Sequence, residues 1–130
     1  MTPDDSTVKG RVSLESGQGR TWVRLEAQPL GNEWLVVITN DYPHLGAVAI
    51  GDFDPTSGRA SASVITLPGH RDDVVARAQA HNLARALQRR VCVVVGIHID
   101  NASQEEIGAI LCNAEKLTRT LSDACQPRTS

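Results

Sequence analysis

Short apolar, β-branched runs separated by turn signals fill the first half of the chain, and a helical period governs two stretches of the second half. β-Branched residues between turn signals predict strands over 10–15, 20–28, 33–39, 45–51, 59–67 and 91–99. "SGQG" and "PLGN" join the first three strands, and "NDYPH" and "DFDPTSG" continue the run as successive hairpins. In 71–89, Ala76, Ala80, Leu83 and Leu87 share one face of a helix, while Arg77, His81, Arg85 and Gln88 share a solvated one. In 103–121 the apolar stripe is Ile107, Ile110, Leu111, Ala114, Leu117 and Leu121. Ser103 with Glu106 three residues later forms a capping box, which satisfies two backbone donors at the start of that helix. The order predicts an α+β fold: a mostly antiparallel six-stranded sheet, a β-meander followed by β-α-β and a C-terminal helix. The β-α-β unit comprises 59–67, 71–89 and 91–99, and its two strands are expected to be parallel neighbours. The folded domain spans 10–121, with 1–9 and 122–130 as flexible termini.

Several strands are apolar on both faces. "WLVVI" sets Trp34, Val36 and Ile38 against Leu35 and Val37, and "VCVVVGIHI" sets Val91, Val93, Val95, Ile97 and Ile99 against Cys92 and Val94. Such strands require cover on both sides. Six strands about 4.8 Å apart span roughly 25–30 Å, whereas two helices about 10 Å apart roof roughly 20 Å. Apolar surface is therefore left over, and a second polypeptide is its expected cover, most simply a homodimer.

Composition narrows the function. A chain of 130 residues with 41% hydrophobic content builds a core without a disulfide or metal staple. The net charge of −2 and an aromatic content of only 3% argue against nucleic-acid binding, which needs basic patches and stacking rings. Cys92, Cys112 and Cys125 lack metal-ligand spacing, and the first two are expected to be small buried hydrophobes. No charged-then-apolar leader stands out and no apolar run is long enough for a membrane helix, so a reducing cytoplasm and no membrane partner are expected.

The chemistry concentrates at two strand-to-helix junctions, "PGHRDD" and "GIHIDN". If the hairpins alternate direction and 91–99 runs with 59–67, His44, His70 with Asp72, and His98 with Asp100 all reach one rim of the sheet. There the carboxyl ends of strands and two helix N-termini form the usual ligand crevice of α/β structures. Gly69 and Gly96 permit close backbone approach. The candidate ligand-binding set is His44, Gly69, His70, Asp72, His98, Asp100 and Asn101. Against it stand ordinary structural roles: Asp100 and Asn101 are good N-cap types, His44 follows Pro43 in a turn, and His98 can bond a strand-end carbonyl. Asp72 and Asp73 in the first helical turn disfavour a phosphate. A metal or a His–Asp acid–base enzyme is chemically conceivable, but no two ligands share a helix face and no nucleophile elbow or phosphate loop is present.

The succession "WVRLEA", "PHLGAVAIG", "SASVITLPGHRDDVVARAQA" and "VCVVVGIHIDNASQEEIGAIL" resembles the prenylated flavin chaperone LpdD-like family, the small D component of hydroxyarylic acid decarboxylases. The resemblance covers roughly 10–121, and its most specific pieces are "PGHRDD" and "GIHIDN". It implies a domain similar to the proteasome assembly chaperones, dimeric and non-catalytic. It also implies an accessory role in which prenylated flavin is at most a transient ligand and a decarboxylase subunit a partner. A ligand-sensing regulatory module and a small metal- or His/Asp-dependent enzyme using the His44/His70/His98 rim are the alternatives.

Overall fold

The β-branched runs do become strands, and the computed structural model, which describes residues 10–67 and 72–125, arranges six of them in one mixed sheet. In chain order these are β1 (Val12–Ser16), a 3-10 turn (Gly19–Thr21), β2 (Val23–Leu30), β3 (Glu33–Thr39), β4 (Ala47–Asp54) and β5 (Arg59–Thr66). Helix α1 (Asp73–Leu87), β6 (Val91–Gly96) and α2 (Gln104–Cys125) follow. The spatial order is β1-β2-β3-β6-β4-β5.

This order corrects one expectation. β6 does not lie beside β5; it inserts between β3 and β4, parallel to β3 and antiparallel to β4. β5 is antiparallel to β4, so β5 and β6 run in the same direction with β4 between them. Consequently "NDYPH" is not a tight hairpin turn but part of a crossing over the end of β6. Burial explains the placement. β6 is the most apolar strand, and the centre of the sheet hides Val91, Val93 and Val95 almost completely, at 1%, 0% and 0% exposure.

Both helices lie on the same face. α1 packs on β4, β5 and β6, and α2 on β1 and β2, with the two helices touching each other. The predicted stripes turn inward: Ala76, Ala80, Leu83 and Leu87 of α1 and Ile110, Ala114, Leu117 and Leu121 of α2 are buried against Val23, Leu25, Val36, Ile38, Val93 and Val95. Where the helices meet, Thr118 Oγ1 donates to Gln79 Oε1 at 2.7 Å inside the core. His81, expected on a solvated face, is half-buried.

The other face of the sheet is covered by neither helix. Its rows read Glu26, Val37, Val94, Val48, Ile65 and Gln28, Leu35, Cys92, Ile50, Ser63 from β2 to β5. The β1–β2 half is thus polar and the β3–β6–β4–β5 half largely apolar, with Ile65 69% and Ile50 41% exposed. Cys92 points to this face and is only half-buried, and Cys112 lies on the outside of α2, exposed. Neither is the buried hydrophobe expected, because one sits opposite the helices and the other off the apolar stripe. Burial raises the pKa of the Cys92 and Cys125 thiols. Among the described residues no helix is long and apolar enough to cross a membrane.

The capping box predicted at α2 forms as written: Glu106 N donates to Ser103 Oγ and Ser103 N to Glu106 Oε1, both at 3.0 Å. Glu106 also receives Arg20 Nε at 2.7 Å, tying the link between β1 and β2 to the helix start. Donation from Arg20, then from the Ser103 backbone, lowers the Glu106 pKa from 4.5 to about 2. A folded-state value below the unfolded one stabilises above the unfolded pKa, and that contribution disappears as pH falls through the folded value. The melting-temperature gap between the wild type and Glu106→Gln should be constant above about pH 5 and should close as pH falls from 4.5 to about 2.

Candidate functional site

At the rim where β3 and β6 end and β4 begins, residues 40–46 cross over the end of β6. Gly96 makes that crossing possible. A Cβ there would run into the carbonyl oxygen of His44 and lie 2.5 Å from its carbon. Gly46 N, next along the crossing, donates to Val95 O at 2.9 Å. The sequence therefore spends a glycine at residue 96 on a chain crossing, not on a ligand.

Asn40 locks the crossing. Its Nδ2 donates to His98 O at 2.9 Å, and its Oδ1 accepts from His98 N at 3.3 Å and Tyr42 N at 3.0 Å. Asn40 is 8% exposed, so these bonds are made in a desolvated setting. Sequence reasoning missed this residue, although an asparagine at a strand end before a proline turn is an Asx-turn signal. Asn40→Ala should cost about 2 kcal/mol, since it leaves the His98 backbone and Tyr42 N–H without their partner. Urea unfolding reads that loss as a lower midpoint with an unchanged slope.

Two histidine–carboxylate pairs flank the crossing. His44 Nδ1 donates to the Tyr42 carbonyl at 2.9 Å, which aims Nε2 at Asp72 Oδ2, 3.4 Å away. Asp72 precedes α1 and is 6% exposed, but its side chain does not cap the helix. Instead Oδ1 accepts from Ile97 N at 3.2 Å, so this carboxylate joins the start of α1 to the end of β6. Gly46 leaves the room: a Cβ there would collide with Asp72 Oδ2. His98 Nε2 meets Asp100 Oδ1 at 2.8 Å on the exposed lip, with the Tyr42 ring edge-on to His98 at a centroid distance of 6.4 Å.

The sequence-derived set therefore divides. His44 with Asp72 and His98 with Asp100 come to one rim, as the strand directions required. Asp100 and Asn101 are not caps of α2, because Ser103 takes that role; Asn101 adopts φ 52 in the turn before it. Gly69 and His70 lie outside the described residues.

Beside these pairs a cleft of about 450 Å³ opens between the starts of α1 and α2. Val75, Ile97, Ile107, Ile110 and Leu111 supply apolar walls, and Asp72 and His98 face it from one end. Such a cleft falls in the range of ligand pockets, roughly 300–1,000 Å³, that are mainly apolar with a few polar groups. The chemistry it offers is binding: an apolar body between the helices, with a polar group directed to the end that Asp72 and His98 line. Among the described residues no group of three or more His, Cys, Asp or Glu side chains is placed to hold a metal ion.

The profile of the prenylated flavin chaperone LpdD-like domain matches residues 17–126. No curated protein matches the chain. Among solved structures, a chain of a chaperone complex for yeast 20S proteasome assembly superposes with a TM-score of 0.56 at 15% identity, covering 86% of this chain and 98% of that one. That likeness establishes a shared α+β fold.

Proposed function

Because the chain belongs to the prenylated flavin chaperone LpdD-like family, we propose that it is a non-catalytic accessory protein that acts by holding another polypeptide, in support of a prenylated-flavin-dependent decarboxylase. The observation that carries this reading is the uncovered sheet face. Val37, Val94, Val48 and Ile65 form one continuous apolar row, with Leu35, Cys92 and Ile50 beside it, and both helices lie on the opposite side. Monomeric proteins rarely leave a contiguous patch of several hundred Å² to water. A second copy of the chain, sheet against sheet about 10 Å apart, covers it and leaves the helices outside.

The rim cleft supplies a second activity within the same role. Its apolar walls suit transient capture of the ring system of prenylated flavin during delivery. Two measurements test the proposal. Light scattering after size exclusion should give twice the chain mass, and co-purification or flavin titration should reveal a decarboxylase subunit or prenylated flavin as a ligand. A monomer that binds neither overturns it.

A further inference from the structure

The two edges of the sheet are treated differently by the sequence. Edge strands expose unpaired backbone donors and acceptors, and proteins blunt them with short length, lysine, proline, bulges or inward charges. β1 is five residues long and carries Glu15, which accepts from Trp22 Nε1 at 3.0 Å. β5 is eight residues long, "RASASVIT", and pairs with β4 in unbroken register from Asp54↔Arg59 to Ala47↔Thr66. It has no lysine, proline or bulge, and its core-facing residues are Ala60, Ala62, Val64 and Thr66. Among the described residues no strand pairs with its outer edge.

The ends of this edge differ in chemistry. At the rim end lie Ile65, 69% exposed, and Leu67, 39% exposed. At the other end stands Arg59. Its neighbour across the register, Asp54, is engaged by its own turn, accepting from Thr56 N at 3.0 Å and Ser57 Oγ at 2.9 Å. Arg59 forms no ion pair among the described residues. We infer that the outer edge of β5 is a docking site for an extended segment of a partner protein, added antiparallel as a seventh strand with an acidic residue opposite Arg59.

Charge decides between this occupant and a second copy. Opposite residues in an antiparallel pair share a face, so β5 paired with its own copy sets Arg59 against Ile65 or Leu67 and leaves both cations unmatched. A strand ending in a carboxylate matches the cation and presents apolar residues to the other end. Backbone pairing then supplies affinity, and the two ends fix direction and register. The inference rests on the accessory reading only in taking the occupant from a client; edge binding and sheet-face dimerisation fail separately.

The test is titration of a fluorescently labelled, N-acetylated peptide of sequence Val-Val-Val-Thr-Val-Thr-Val-Glu, whose glutamate and second valine fall opposite Arg59 and Ile65 in antiparallel register, into the full-length protein. Saturable binding is expected, and Arg59→Glu should weaken it about threefold to tenfold, the scale of one cross-strand charge pair lost and made repulsive. A peptide ending in lysine should show the reverse preference. Backbone N-methylation of alternate residues should abolish binding in one phase and spare it in the other, because only one edge of a strand faces β5. Absence of binding, binding indifferent to Arg59→Glu, or equal effects of both methylation phases would overturn the inference. So would an assembly larger than a dimer that Ser63→Lys breaks, because β5 would then be pairing with its own copy.

Discussion

Val94→Glu and Val93→Glu, one residue apart on β6, should have opposite consequences. Val93 is 0% exposed beneath the helices, and a carboxylate there has no partner, so the variant is expected not to fold. Val94 lies at the centre of the uncovered face, between Val37 and Val48. Its glutamate is solvated in a monomer and buried without a partner in a sheet-to-sheet dimer. The expected product is a folded monomer that retains a cooperative thermal transition. Its dimer affinity should fall by about 2 kcal/mol or more, roughly thirtyfold in the dissociation constant. Light scattering at low micromolar concentration and a circular dichroism melt are sufficient to read both variants. If Val94→Glu stays dimeric, the interface is elsewhere; if it unfolds like Val93→Glu, the face is internal to the protomer.

Gly51→Ala should be strongly destabilising for so small a change. Gly51 is the point of β4 on which α1 rests. A Cβ there would collide with the Ala80 carbonyl oxygen and stand 2.7 Å from its carbon and 3.1 Å from the Ala84 Cβ. Two of those obstacles are backbone atoms of a buried helix, which no rotamer change moves aside. The helix must lift from the sheet, at a cost of about 3 kcal/mol. Against a total stability of about 5–15 kcal/mol that is a large fraction, and the melting temperature should drop by roughly 10 °C. Gly58→Ala provides the comparison. It has open space around its Cβ but a φ of +73°, so its loss should be smaller and confined to backbone strain. Equal losses at the two positions would refute the close-packing account.

How much of this was legible beforehand varies by residue. The helix stripes were readable because burial recurs at helical spacing, and Ser103 with Glu106 announced the start of α2 through a local bond pattern. The convergence of His44, Asp72, His98 and Asp100 was readable from strand direction alone. It survived an error in strand neighbours because β5 and β6 still run the same way. Gly51 and Asn40 were not readable: their importance lies in what stands against them, and those partners are 29 and 58 positions away along the chain. The cysteines were misread for a related reason. "VCVVVGIHI" reports that both sides of a strand are apolar but not which side the helices take.

The order of elements, their periodicity and the excess of apolar surface over helical cover are properties of the linear pattern, because side-chain spacing alone sets which residues share a face. Where β6 enters the sheet, which face both helices choose, and why Gly96 must let residues 40–46 pass over it depend on contacts between distant segments. Strand order is set by which arrangement hides the most apolar area, a comparison among whole folds that no local stretch of residues contains.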